Sequence, residues 1–94
     1  MSFENEVKQK LNASQYEGLT GILAISQHRL TKILGNPAFM DVEELKKLSL
    51  LMNVDFDYLI DTYNCGRETI TIGQYMQLRQ EKIARELKAN KDEN

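Results

Sequence analysis

The chain is poor in the residues that build covalent staples and reactive centres. It has one cysteine in 94 residues, so no disulfide forms within it. Its one histidine, His28, stands 37 positions from Cys65, and that pair alone makes no zinc site. It has a single proline and no tryptophan. No apolar run approaches the roughly 18 residues of a membrane span, so no membrane partner is expected. The opening MSFENEVKQKL lacks the charged-then-apolar order of a secretory signal, and a cytoplasmic location is expected. Paired carboxylates in a cleft pattern, a Ser/His/Asp set, a metal cluster and a phosphate-cradling glycine loop are all missing, so neither an enzyme nor a cofactor is expected. A net charge of −2 excludes a basic coat over the whole surface.

What is present is one modest core and an uneven distribution of charge. Apolar residues make up 41% of the chain, enough for one domain at this length. By segment, residues 1–13 are neutral, 14–40 carry +1, 41–61 carry −4, 62–91 carry +3, and Asp92 with Glu93 carry −2. An acidic middle therefore separates a sparsely charged early segment from a basic late one.

Apolar spacing and capping residues predict helices throughout. Phe3, Val7 and Leu11 mark one over 3–11, closed by Asn12 and Ala13. Ser14 with Glu17 reads as a capping box opening a helix over 15–24, with Leu19, Ile22 and Leu23 inward. Gly18 and Gly21 each cost about 1 kcal/mol inside a helix, a cost that close approach of a neighbouring helix would justify. Ala24-Ile25-Ser26 is a turn, with Ser26 capping a helix over 27–34. Gly35 suits the residue that ends this helix, and Asn36-Pro37 stops it from restarting. Asp41 and Glu44 form a second box, opening a helix over 42–53 that Asn53 ends. Asp55 caps a helix over 56–63. Asn64-Cys65-Gly66 is a turn signal. Glu68–Ile72 alternates polar and apolar residues, so this stretch is a turn or a short extended piece, and Thr71 with Gln74 is a third box. A last helix covers 73–89, and the tail 90–94 should fray.

Within this series, residues 16–35 hold a fixed register. Counted from Tyr16, apolar residues fall at the fourth (Leu19), eighth (Leu23), tenth (Ile25), fifteenth (Leu30) and eighteenth (Ile33) positions, with small residues at the fifth (Thr20) and ninth (Ala24). This is the pattern of a helix-turn-helix, in which two steeply crossed helices need a small residue where they touch. Residues 14–61 resemble the Cro/phage-repressor (Xre-like) helix-turn-helix family. SQYEGLTGILAIS stands where that family has its first crossed helix, and QHRLTKILGN where it has its recognition helix. DVEELKKLSLLMNVDFDYLI resembles the family's fourth and fifth helices. Four residues depart from its pattern: Tyr16, where Gln is common; Thr20 for Ala; Ala24 for a Gly that often takes positive φ; and Gly21 on a surface that usually carries a long side chain. The resemblance implies an all-α fold: a five-helix, lambda-repressor-like helix-turn-helix domain over 1–64, with a C-terminal extension over 65–94 that adds one helix.

The free side of the helix over 27–34 carries Gln27, His28, Arg29, Thr31 and Lys32, side chains that suit base edges and phosphates in a major groove. By resemblance, Gln27 and His28 match the main base-reading positions, and Asn36 matches a loop position that contacts phosphate. Ser26 belongs to the same helix start. The beginning of the preceding helix, beside Gln15 and Tyr16, could hold a phosphate. The expected partner is therefore double-stranded DNA, and the expected function a sequence-specific transcriptional regulator, a repressor of phage or mobile-element type. Two or three phosphates neutralised per subunit give a dimer a log–log salt slope of about −4 to −5, with half-sites roughly 34 Å apart. The alternative is a protein–protein module, such as an antitoxin or anti-repressor, that keeps the fold without operator binding; the acidic pI of about 5.4 favours it. No small-molecule ligand is implied. The last helix has an apolar side (Ile72, Tyr75, Met76, Ile83, Leu87) and a basic stripe. It either packs back on its own domain or, with 68–72, forms a homodimer arm over 68–89.

Overall fold

The computed structural model describes residues 2–92 and is all-α, with no strand among the described residues. The elements are α1 (Phe3–Lys10), α2 (Ala13–Glu17), α3 (Leu19–Leu23), α4 (Gln27–Gly35), a 3-10 turn at Pro37–Phe39, α5 (Val42–Met52), α6 (Phe56–Tyr63) and α7 (Ile72–Asp92). Apart from α3, which follows Gly18 without a side-chain cap, each helix start is set by a local side chain. Ser2 caps α1, Ser26 caps α4, and Asp41 forms with Glu44 the box that opens α5. The Thr71 and Gln74 side chains trade hydrogen bonds with each other's N–H groups at the start of α7 (3.1 and 3.0 Å).

The expected helix over 15–24 is corrected at both its start and its middle. It begins at Ala13, and the capping box is Asn12 with Gln15, not Ser14 with Glu17. Two overlapping boxes are written in this stretch. Burial of Leu11 at the end of α1 fixes where the chain turns, so the earlier box is used. The helix then breaks at Gly18 (φ −89°, ψ 6°), where a Cβ would lie 3.2 Å from the Ser14 carbonyl oxygen. Gly21 has nothing within 4 Å of its missing Cβ, so no helix approaches it. Ile22, expected inside, is 42% exposed. Gly35 remains the last residue of α4, and Asn36 (φ −144°) ends it, so the glycine's freedom at positive φ is unused there.

α3 ends at Ala24 in the left-handed region (φ 56°, ψ 47°). The Ile25 N–H reaches back to the Thr20 carbonyl (3.0 Å), and α5 ends in the same way at Asn53. A three-residue turn thus joins α3 to α4.

One core gathers Phe3 and Val7 of α1, Leu19 and Leu23 of α3, Leu30, Ile33 and Leu34 of α4, Leu45, Leu48 and Met52 of α5, and Phe56 and Leu59 of α6. Residues 68–72 are not extended. The chain turns over 65–69 and is held to the loop after α4: Gly66 N–H donates to the Pro37 carbonyl (2.8 Å), Glu68 N–H to that of Ala38 (2.9 Å), and the Thr69 hydroxyl to that of Met40. Gly66 sits at φ +74°, with Ile70 folded over the place of its missing side chain, so a larger residue has no room. The backbone donors of 66–69 are thereby used without a strand partner.

α7 continues to Asp92, past the expected end at 89 and into the stretch expected to fray; residues 93–94 of that stretch lie outside the described residues. Among the α7 residues whose burial is described, Leu78 is the buried one, with Tyr75 half-buried beside it, so Ile72, Met76, Ile83 and Leu87 of the expected apolar side face solvent. Among the described residues no helix is long and apolar enough to cross a membrane.

Candidate nucleic-acid interface

α4 divides cleanly along its length. Leu30, Ile33 and Leu34 are buried, whereas Gln27, His28, Thr31 and Lys32 are exposed. At 100° per residue those four occupy one side of the helix. Gln27 Nε2 lies 3.4 Å from Thr31 Oγ1, one turn along, so the amide is loosely held and free to turn to another acceptor. Ser26 is exposed at the helix start. Its Oγ accepts from the Arg29 N–H (3.1 Å), which leaves the hydroxyl proton free to donate.

Arg29 does not join this set. It lies at the margin of the buried side, and its guanidinium grips Glu44 with two bonds, Nε to Oε2 (3.0 Å) and Nη2 to Oε1 (2.8 Å), while Nη2 also donates to the Phe39 carbonyl (2.8 Å). Glu44 is 3% exposed and also closes the box on the Asp41 N–H (2.9 Å). The hydrogen bonds to Glu44 push the guanidinium further above its ordinary range. One carboxylate thus ties the start of α5 to the first turn of α4 and neutralises a cation expected to meet DNA. The sequence marks Glu44 as a capping residue through its spacing from Asp41. Its second task, fifteen residues back along the chain, has no local signal.

The remaining candidates sit at the two ends of α4 and on α2. Gln15 and Tyr16 are half-buried. Gln15 Oε1 is used in the Asn12 box (3.0 Å), leaving its NH₂ group free. The Tyr16 hydroxyl donates to Glu4 (3.3 Å), and burial together with that carboxylate raises its pKa. A phosphate beside Tyr16 would displace this bond and sit near Glu4. Asn36 is exposed at the far end of α4, nine residues and roughly 13 Å from Gln27.

Two residues outside the expected set belong to this surface. The Lys32 ammonium lies 5.2 Å from the centre of the half-exposed Phe39 ring, which restrains the lysine without neutralising it. The Lys8 ammonium lies 5.7 Å above the Tyr16 ring, adding a cation beside α2. Phe39 follows Pro37 in the loop and Lys8 belongs to α1, so neither falls within the register that singled out residues 16–35.

No family model, no curated protein and no solved structure matches the chain.

Proposed function

We propose that the chain is a sequence-specific DNA-binding regulator of the helix-turn-helix kind, acting as a repressor by occupying an operator with α4 in the major groove. The supporting observation is the exposed side of α4: Gln27, His28, Thr31 and Lys32 stand free on a helix whose other side is locked into the core. Gln pairs with adenine through two bonds, His donates or accepts, and the Thr methyl touches the thymine methyl. Ser26 and Lys32 meet phosphates, with Gln15, Tyr16 and Lys8 on the flank and Asn36 at the far end. Arg29 acts as a positioning residue that holds the angle between α4 and α5.

Selection from a random duplex library at two salt concentrations tests this. The expected result is one enriched motif whose preference is lost in Gln27→Ala/His28→Ala with the melting temperature unchanged. A library that emerges unenriched at both salt concentrations overturns the proposal.

The second reading is a protein–protein module. It draws support from the Arg29–Glu44 pair, which removes one of the two cations that residues 14–40 contribute. A stoichiometric protein complex together with salt-insensitive behaviour toward duplexes would select it.

A further inference from the structure

We propose that the outward side of α7 is a dimerisation surface, and that it takes the same side of a second copy of this chain running antiparallel. This pairing depends on the fold alone and does not require DNA.

α7 is fastened to its own domain by one side. Leu78 is buried, the Tyr75 hydroxyl donates to Asp57 (2.7 Å), Glu81 pairs with Lys46 (3.0 Å), and Lys82 pairs with Asp55. The other side carries Ile72 (84% exposed), Met76 (53%), Ile83 (50%) and Leu87 (59%). At 100° per residue these four fall within an arc of about 60°. They are half of the eight exposed large hydrophobic residues among the described residues, gathered in one line rather than scattered.

The order of these residues selects the occupant. A two-fold interface must be complementary to itself. Ile72 and Leu87 lie at equal distances from the midpoint between Arg79 and Gln80, and so do Met76 and Ile83. An antiparallel pair centred there sets Ile72 against Leu87 of the second copy and Met76 against its Ile83. Arg79 then meets Gln80, whereas parallel pairing would set Arg79 against Arg79. Beside Ile72 opens a groove of ≈ 260 Å³, with Ile60, Cys65, Ile70 and Tyr75 among its walls. Arg67 lines the same groove, and Glu86 precedes Leu87, so this pairing also brings opposite charges to each end of the seam. Four apolar side chains are a small seam beside the roughly 800 Å² per partner of a standard interface, so the dimer is a weak one, of micromolar order.

Sedimentation of the full chain from low micromolar to submillimolar concentration tests this, with mass rising from 10.9 kDa toward twice that value. Met76→Lys/Ile83→Lys should weaken association by about 100-fold or more, because it places unpaired charges in an apolar seam. Circular dichroism should not change, since both residues already face solvent. Oxidation of mixed Met76→Cys and Ile83→Cys chains should give a covalent heterodimer, while either alone cross-links poorly; Cys65 is buried and does not compete. A wild type that stays monomeric, a double-lysine variant that still dimerises, or a Met76→Cys chain that links best to itself would each overturn the proposal. The Gln27/His28 variants leave this seam untouched, so failure of the DNA reading is seen separately.

Discussion

Ala24 sits at φ 56° with a Cβ that this region disfavours, at a position where the resembled family often has Gly. Ala24→Gly should therefore raise stability by about 0.5–1 kcal/mol, the left-handed cost less the glycine's extra chain entropy. Gly21→Ala should do the same by up to about 1 kcal/mol, because the helical position is open. Urea midpoints measure both, and a loss of stability in either would contradict the geometry of the turn. Arg29→Ala should cost about 3 kcal/mol, because it leaves the buried Glu44 carboxylate without its partner. Arg29→Lys should recover only part of this, since a lysine cannot form the two-pronged grip. A neutral Arg29→Ala, with operator preference lost, would instead make Arg29 a reader of DNA.

At the scale of elements, the join between α1 and α6 depends on phenols that donate only while protonated. The hydroxyls of Tyr58 and Tyr63 both donate to Oε1 of the buried Glu6 (2.7 and 2.6 Å), which joins α1 to α6. These bonds to Glu6 hold both phenols above their ordinary range. Burial pushes the Cys65 thiol up to about 12 from 9.0. Below about pH 9 the thiol is protonated in the folded and unfolded chain alike. Above it the unfolded chain releases the proton first, so stability should fall between about pH 9 and 12, with the tyrosines adding to the loss. Urea midpoints that stay level across that window would contradict this. Cys65 should also react with a thiol reagent at the rate of unfolding. Helix starts were legible because Ser26, Asp41 with Glu44, and Thr71 with Gln74 act on N–H groups two or three residues away. The turn after α6 is legible in Asn64-Cys65-Gly66, but its fastening is not: the Gly66 and Glu68 N–H groups and the Thr69 hydroxyl go to carbonyls of residues 37–40, and the Thr/Ile alternation of 68–72 carries no trace of that pairing. The outward side of α4 was legible from period alone, whereas the removal of Arg29 from it depends on Glu44 across a loop.

The whole molecule carries −2, so any binding to DNA depends on where its few cations lie. Arg29 is neutralised by Glu44, which leaves Lys32 and, beside Tyr16, Lys8. Two such cations per chain give a dimer a log–log salt slope of about −3 to −4, shallower than the −4 to −5 expected with Arg29 free. Asp55 is held below its ordinary range by its bond to Lys82, so the tie between α7 and the domain should weaken as pH falls below about 4. The proposed function turns on the free side of α4 reading DNA. It is tested most directly by following backbone amide resonances of the full chain as pooled random duplex is added at low ionic strength. The largest shifts are expected at Gln27, His28, Thr31 and Lys32, with little change along the exposed side of α7. Shifts confined to α7 or to the acidic α5 and α6, with α4 unmoved, would contradict it.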